Sequence, residues 1–570
     1  MMKVQTASPA DWSAQARRLL AAQDLAALQR LLRQVLAEHP ENHEARQLLG
    51  VACGMQGLHE EATTHLSLAL ALSDFQPDWL FNLGNVLRAA GQSELALGAY
   101  RRLVALAPGH AQGWFNLANL LADLKQDAAA VDAYRRALLA DPAYLKAMVN
   151  LAGALSRTGD FDGALKVYRQ ILAGDPAHVG ARNNMANLLR DLGQPEQARS
   201  ILEQMAREDP ASARVQNNLG SALRELGHLP QALACYRRAV ELKADYPEGQ
   251  MNYAMALLTD GQWQEGWRRY EARLDPRLKT PLSGLSVPVQ PWTGQDLAGR
   301  RILVHGEQGL GDMLQFCRFV PQLEARGAQV FLLTDRALAR LLRSLAMTGP
   351  VLSEGDAIPE ALDYQVSLLS LPLRLGVFTA DRFMPQPYLR PVPADVARYA
   401  AVLDGWFGAR RAGGRPRVGL VWAGNPRREM PQASLVDRRR SLSAEQARGI
   451  VAHAPGIDWV SLQKGEQQGA VAGIRDAADL LGDFADTAAL VQGLDAVVTV
   501  DTSVAHLAGS VGRPVLMLSR FDACWRWGLQ GEATAWYAGM RVFRQHRYGD
   551  WGQAMQQLGQ ALERLVAASR

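Results

Sequence analysis

Cysteine is scarce in this sequence. Cys53, Cys235, Cys317 and Cys524 are the full set, they lie far apart, and no two have CxxC spacing. That excludes a disulfide framework and a cysteine zinc site, and it points to a reducing compartment, the cytoplasm. Long apolar runs are missing as well. No stretch approaches the 18 or so apolar residues of a membrane-spanning helix, and the opening residues MMKVQTASPADWSAQARR lack the apolar centre of a signal peptide. Nor is one sign of charge in excess. Sixty-one basic and 57 acidic side chains leave a formal +4, spread over mixed-sign helices with no aromatic–basic RNA-binding pattern, so a nucleic-acid partner is not expected. What remains is ordinary globular composition, 48% apolar and 21% charged, in a chain of 570 residues. That is too long for one core, and two to four domains are expected.

The first half repeats. Pro108, Pro142, Pro176 and Pro210 are spaced by 34, with Pro40 two periods before Pro108. Gly57, Gly91, Gly159, Gly193, Gly227 and Gly261 keep the same register, with Lys125 replacing glycine once. Ala62, Ala96, Ala130, Ala164, Ala198 and Ala232 follow it, as do Tyr100, Tyr134, Tyr168, Tyr236 and Tyr270. A helix–turn–helix unit of this period is the tetratricopeptide signature. Glycine supplies the left-handed turn, alanine lets the helices approach, and proline ends the second helix. The pattern predicts an all-α superhelix over 10–274 with an extended concave face. Trp263, Trp267 and Tyr270 close the array with an aromatic surface suited to the next domain, and the proline-rich segment 275–298 reads as a linker or draped segment.

Asparagine occurs six times at the same place in successive repeats, at Asn82, Asn116, Asn150, Asn184, Asn218 and Asn252. A ladder of amides along one face can hold an extended peptide by its backbone without reading its side chains. The alternative is architectural, each amide bonding the neighbouring repeat. The ladder resembles that in the repeat arm of eukaryotic O-linked N-acetylglucosamine transferase, and the resemblance implies a polypeptide acceptor on the concave face. Arms of this kind can also pair through their convex faces, so a homodimer stays open.

Strand–helix alternation in the second half predicts two doubly wound parallel sheets, over 299–395 and 415–545, followed by a C-terminal helix within 546–570 that would pack back across the domains. Two such domains form a cleft at the C-terminal ends of their strands. Ala496–Val500 reads as a buried strand, Asp501-Thr502-Ser503 as a polar turn, and a short helix follows, stopped at Gly512-Arg513-Pro514. The unpaired N–H groups of that first helical turn favour an anion, and His506 falls where it would face the same ligand; plain helix capping explains the Asp and Thr equally well. GEQGLGD at Gly306–Asp312 has the wrong spacing for a dinucleotide fingerprint. Its Asp312, at a strand-to-helix turn, is either a general base or the cap of a helix predicted over Met313–Arg326.

GLGD, VWAGN, SLQKGE and DTSVAHLAG, in that order, resemble the heptosyltransferase-like GT-B glycosyltransferases of family 9, in the branch that carries a tetratricopeptide arm. The resemblance implies a transferase that takes a nucleotide sugar as co-substrate, needs no other cofactor and no metal, and inverts the anomeric centre. No DxD-type acidic pair is evident in the α/β half. By the same resemblance Asp312 is the catalytic base. Asp501, Thr502, Ser503 and His506 form the donor loop, with serine standing where family members often carry glycine. Lys464 would neutralise the donor phosphates, and Glu466 would meet the ribose or base. Trp422, Gly424 and Asn425 would sit under the sugar nucleotide, and Arg438-Arg439-Arg440 would add positive potential unless they are simply solvated. Gly311, Gln315, Trp525 and Arg526 are candidates for the sugar or acceptor side. The acceptor is expected to be a protein, such as flagellin or another surface protein. A lipopolysaccharide or other glycan acceptor and an inactive scaffold are the alternatives.

Overall fold

The computed structural model describes residues 9–73, 76–278, 288–307, 309–353, 355–427 and 431–569. The chain forms two compact units, Met1–Leu188 and Leu189–Arg570, divided within the helix Val179–Asp191.

The first unit consists of paired helices of 13 and 14 residues, among them His43–Met55 with His59–Leu72, Pro77–Ala89 with Ser93–Leu106, and Ala111–Asp123 with Asp127–Ala140. The period has a packing cause. Ala62, Ala96, Ala130 and Ala164 are completely buried, and a Cβ on Gly84 would lie 2.5 Å from the Tyr100 ring, so each tyrosine lies flat on a small residue of its partner helix. The turns are left-handed at Gly57, Gly91 and Gly159, with φ of 78°, 74° and 85°. Lys125, the one departure in the glycine series, still takes φ 63°, and Gln23, one period before Gly57, takes φ 56°. The fold therefore imposes the turn at roughly 1–2 kcal/mol where glycine is absent. Gln23 also extends the register one repeat upstream of the glycine series.

The asparagine series does architectural work. Asn116 donates to Asn85 Oδ1 of the preceding repeat (2.8 Å), and Asn150 to Asn119 Oδ1 (2.9 Å). The same oxygens accept from Tyr100 and Tyr134 (2.7 and 2.6 Å), so each links three helices. Asn82 and Asn184 are half-buried, and Asn184 Oδ1 accepts from Asn183.

The second unit opens with the remaining repeat helices, ending at Trp263–Tyr270. Asn252 there donates to Asn217 Oδ1 (3.0 Å), and Asn218 is buried. The closing aromatics pack as the sequence suggests. Trp267 donates its indole N–H to the Val377 carbonyl (3.0 Å) and meets Trp525 edge-on, and Trp263 meets Phe383 edge-on. Of the predicted linker, 279–287 lie outside the described residues. Beyond it Trp292 is buried and its N–H donates to Gln365 O (2.7 Å), so this end is draped along a sheet edge.

Two parallel sheets follow. In the first, β1 (Arg301–His305), β2 (Gln329–Thr334), β3 (Val351–Ser353) and β4 (Tyr364–Ser367) run in the order β3-β2-β1-β4. In the second, β5 (Arg417–Val421), β6 (Asp458–Ser461), β7 (Arg475–Asp476), β8 (Ala496–Val500), β9 (Val515–Ser519) and β10 (Met540–Arg544) run in the order β10-β9-β8-β5-β6-β7. The strand predicted over Ala496–Val500 is β8. Two helices differ from their predicted form. The helix expected over Met313–Arg326 begins at Leu310 with Gly309 as its N-cap, passes through a 3₁₀ turn at Cys317–Phe319, and restarts at Pro321. Asp312 thus lies in a first turn and is not a cap. The final helix, Gly552–Ser569, buries Ala554, Leu558 and Leu562 against the second sheet's own core instead of crossing between the sheets. Among the described residues no helix is long and apolar enough to cross a membrane.

Arg340, on the first lobe, ties the lobes together through Asp483 (2.6 and 2.8 Å) and Asp486 (2.6 Å). Burial alone would raise these two carboxyls, but the hydrogen bonds and charge of Arg340 outweigh it and lower both. A depressed folded-state pKa adds stability above the unfolded value, about 3.9 for Asp, and loses it as pH falls through the lower folded value. Arg340→Met should therefore lower the urea midpoint at pH 7, and the gap to wild type should close below about pH 4. Urea titrations at pH 7, 4 and 3 measure this.

Candidate active site

The site is built where strands end. β8 is buried along all five residues, and the chain leaves it through Asp501 and Thr502 into the helix Ser503–Ser510. Thr502 is an extended N-cap (φ −134°, ψ 169°) whose side chain makes no capping bond; its hydroxyl instead meets Thr499 Oγ1 at 3.0 Å. The positive end of the helix is thus not covered by its own cap, and it opens into a cleft of about 910 Å³. Gly512, at φ 80°, ends the connection as the sequence indicates.

The opposite wall comes from the turn after β1. Gly311 and Asp312 line the same cleft as Ser503. A Cβ on Gly311 would lie 2.9 Å from His506 Cδ2 and 3.6 Å from Ser503 Cα, so the absent side chain lets the two helices touch. Asp312 is paired with the Arg526 guanidinium, which also donates to Gln315 Oε1 (2.7 Å) and lies over the Trp525 ring at 4.3 Å. Burial lifts the Asp312 carboxyl above its ordinary range. Arg526 pulls the other way, and the like charge of Asp501 adds to the rise. Such a carboxylate is a stronger base than a solvated one.

Positive groups gather near the Ser503 helix. Asp437, only 1% exposed, receives Arg427 (2.6 and 3.0 Å) and Arg440 (2.8 Å). Arg440 also donates to the Asp501 carbonyl (3.1 Å), and its head packs against Gly424. Lys464 donates to the Leu481 carbonyl at the cleft rim. His506 shares a hydrogen bond with Tyr537 Oη (2.9 Å) and tilts against Trp527. Burial, reinforced by the charges of Arg526 and Arg318, drives its pKa well below the usual imidazole value, so the ring is neutral.

One cleft therefore gathers Gly311, Asp312, Gly424, Asn425, Arg440, Lys464, Glu466, Asp501, Thr502, Ser503, His506 and Arg526. Trp422, Trp525, Gln315 and two of the three arginines fall outside it. Trp422 is fully buried in the second sheet's core, so it does not lie under a ligand. Trp525 is 4% exposed among Trp267, Phe316 and Trp536, and reaches the cleft only as the surface on which Arg526 rests. Gln315 is fully buried and likewise acts through Arg526. Of the arginine run, Arg438 is exposed and Arg439 donates to Tyr548 Oη (2.6 Å) away from the cleft. Sequence reasoning missed Asp437 and Gln463. The Gln463 side chain accepts from Trp422 N and Ala423 N and donates to Ala423 O, stitching the ends of β5 and β6 together. Its one sequence signal is a polar residue just after a buried strand and before Lys464-Gly465-Glu466.

Residues 466–528, which hold the Ser503 helix and Arg526, match the family described as glycosyltransferase family 9 (heptosyltransferase). Residues 13–77, 81–144, 128–179, 155–222 and 217–272 match tetratricopeptide repeat families. Matches to tetratricopeptide repeats over the N-terminal half are thus followed, in the same chain, by a match to family 9 glycosyltransferases. Protein FlbA of Caulobacter vibrioides is 30% identical over 355 residues, covering 56% of this chain and 55% of that protein. The chain thus spans about half the length of this curated relative. Among solved structures, a tetratricopeptide repeat protein from Parabacteroides merdae is 17% identical with a TM-score of 0.35, covering 43% of this chain and 97% of that one. PilF of Pseudomonas aeruginosa is 19% identical with a TM-score of 0.32, covering 36% and 93%.

Proposed function

We propose that this chain is a GT-B glycosyltransferase that moves a sugar from a nucleoside-diphosphate donor to an acceptor hydroxyl. The observation that carries the reading is that the uncapped start of the Ser503 helix and the half-buried Asp312 carboxylate face one cleft. The donor diphosphate lies at Ser503, with Arg440 and Lys464 supplying positive charge in place of a metal ion. Glu466 and Asn425 lie on the nucleoside side. The acceptor O–H enters beside Asp312 and its oxygen forms the new bond to the anomeric carbon. The bond from that carbon to the diphosphate breaks, its electron pair leaves with the diphosphate, and the proton passes to Asp312. Attack opposite the leaving group inverts the centre. A reducing compartment such as the cytoplasm suits the four cysteines, all of which are free thiols.

The acceptor is a protein lying on the repeats, whose concave face is the extended binding surface of such arrays. A glycan acceptor, with the repeats holding an assembly partner, is favoured by one observation: Asn116, Asn150 and Asn252 already spend a donor on the neighbouring repeat. Thermal-shift titration with a panel of nucleotides tests the common core. One nucleoside diphosphate should stabilise the protein, by about 2.7 kcal/mol at a hundredfold excess over Kd. Stabilisation by none of them would overturn the reading.

A further inference from the structure

The turn that carries Asp312 is anchored at its other end by a residue of the repeat array. Arg273 lies in the 3₁₀ turn Glu271–Leu274, directly after the last repeat helix, and its side chain is fully enclosed. Its Nε donates to both Glu307 oxygens (3.1 and 3.0 Å), Nη1 to Glu271 (2.7 Å) and the Tyr270 carbonyl (3.1 Å), and Nη2 to Glu307, Ser370 Oγ (2.8 Å) and Ser367 Oγ (3.2 Å). Every nitrogen of the fork is used. Glu307, 1% exposed, stands between β1 and the Leu310 helix, five positions before Asp312. Ser367 closes β4 and Ser370 follows it, so the guanidinium joins the repeat terminus to the C-terminal ends of two adjacent strands.

A buried ion pair contributes little net stability compared with apolar groups of the same volume. What a saturated fork delivers is fixed geometry. We infer that Arg273 and Glu307 are positioning residues that set the Asp312 turn from the end of the repeat array, making the last repeat part of the active-site scaffold. Asp312 is then held between two buried arginines, Arg273 acting through Glu307 behind it and Arg526 in front.

This inference rests on the proposed transfer reaction, and the full-length chain tests the two separately. In Arg273→Lys, which keeps the charge and loses the fork, and in Glu307→Gln, kcat should fall at least tenfold while KM for the donor and the nucleotide-induced rise in Tm stay within twofold of wild type. Amide exchange should accelerate at least tenfold in 306–312 and remain unchanged in β8 and the Ser503 helix. The double variant should lose no more than the worse single, as expected for residues acting as one unit. The exchange measurement needs no turnover. Unchanged exchange in 306–312 in folded Arg273→Lys overturns the positioning role, whether or not the wild type is active. Wild-type inactivity with every nucleotide sugar overturns the transferase reading instead. Should Arg273→Lys fail to fold, Glu307→Gln carries the same two readouts.

Discussion

Asp312→Asn should cut sugar transfer by about 10²- to 10⁴-fold, the usual contribution of a positioned general base, and leave the nucleotide-induced rise in Tm intact. The amide keeps the shape of the carboxylate in the first turn of the Leu310 helix and removes its ability to take a proton. In the proposed reading the donor binds on the other wall, around Ser503, Arg440 and Lys464, and its affinity has no reason to change. Turnover within twofold of wild type would remove Asp312 from the mechanism. The partner of the pair gives a second reading of the same group. Arg526 opposes the upward push of burial on the Asp312 pKa. Taking that charge away lets the pKa rise further, so the base stays protonated to higher pH. Arg526→Met should therefore move the acidic limb of the kcat/KM profile to higher pH.

Arg318→Met should destabilise the folded chain by about 3–5 kcal/mol, seen as a lower urea midpoint with little change in slope. Arg318 is 2% exposed, and its hydrogen bonds go to carbonyls and a tyrosine hydroxyl. It donates to the carbonyls of Gln315 (2.7 Å), Phe383 (2.9 Å) and Trp536 (2.7 Å) and to Tyr388 Oη (2.9 Å), and it lies over the Tyr388 and Tyr537 rings at 4.5 and 4.7 Å. Gln315 belongs to the first lobe and Trp536 to the second, so one guanidinium satisfies buried acceptors on both sides of the joint. Methionine fills much of the volume and strands those oxygens without a donor. A loss under 1 kcal/mol would show that the carbonyls find other donors and that the joint does not depend on this residue.

How much of this was legible in the sequence follows from the distance over which each signal acts. The 34-residue period and the strand–turn–helix at Ala496–Ser510 are local, set by turn glycines, β-branched runs and caps, and both are present in the structure. The pairing of Asp312 with Arg526 joins residues 214 positions apart, and nothing in either segment announces the other. Trp422 and Trp525 were misplaced for a related reason. A tryptophan at a strand end is equally suited to stack on a ligand or to fill a core, and only the packing of Leu442, Trp551 and Phe316 around them decides it. The sequence leaves the asparagine series open between a peptide-binding face and an architectural role, because its acceptors, Asn85 and Asn119, recur too irregularly to register as a second ladder. Asp437 was hidden inside a run of arginines whose charge drew attention away from the carboxylate that holds two cleft-lining guanidiniums in place.

The bare Cα of Gly311 against His506 and Ser503 has a bearing on substrate choice. In the proposed reading the proton acceptor and the leaving-group cradle stand on two helices that meet at Gly311, with the buried His506 ring closest and the Ser503 Cα next, so the gap between them is set by close packing. A bulkier sugar has to find its room sideways, along the rim near Asn425 and Glu466, because the jaws are already braced at their root. Donor selectivity in such a site would be tuned at the mouth and left alone at the hinge point.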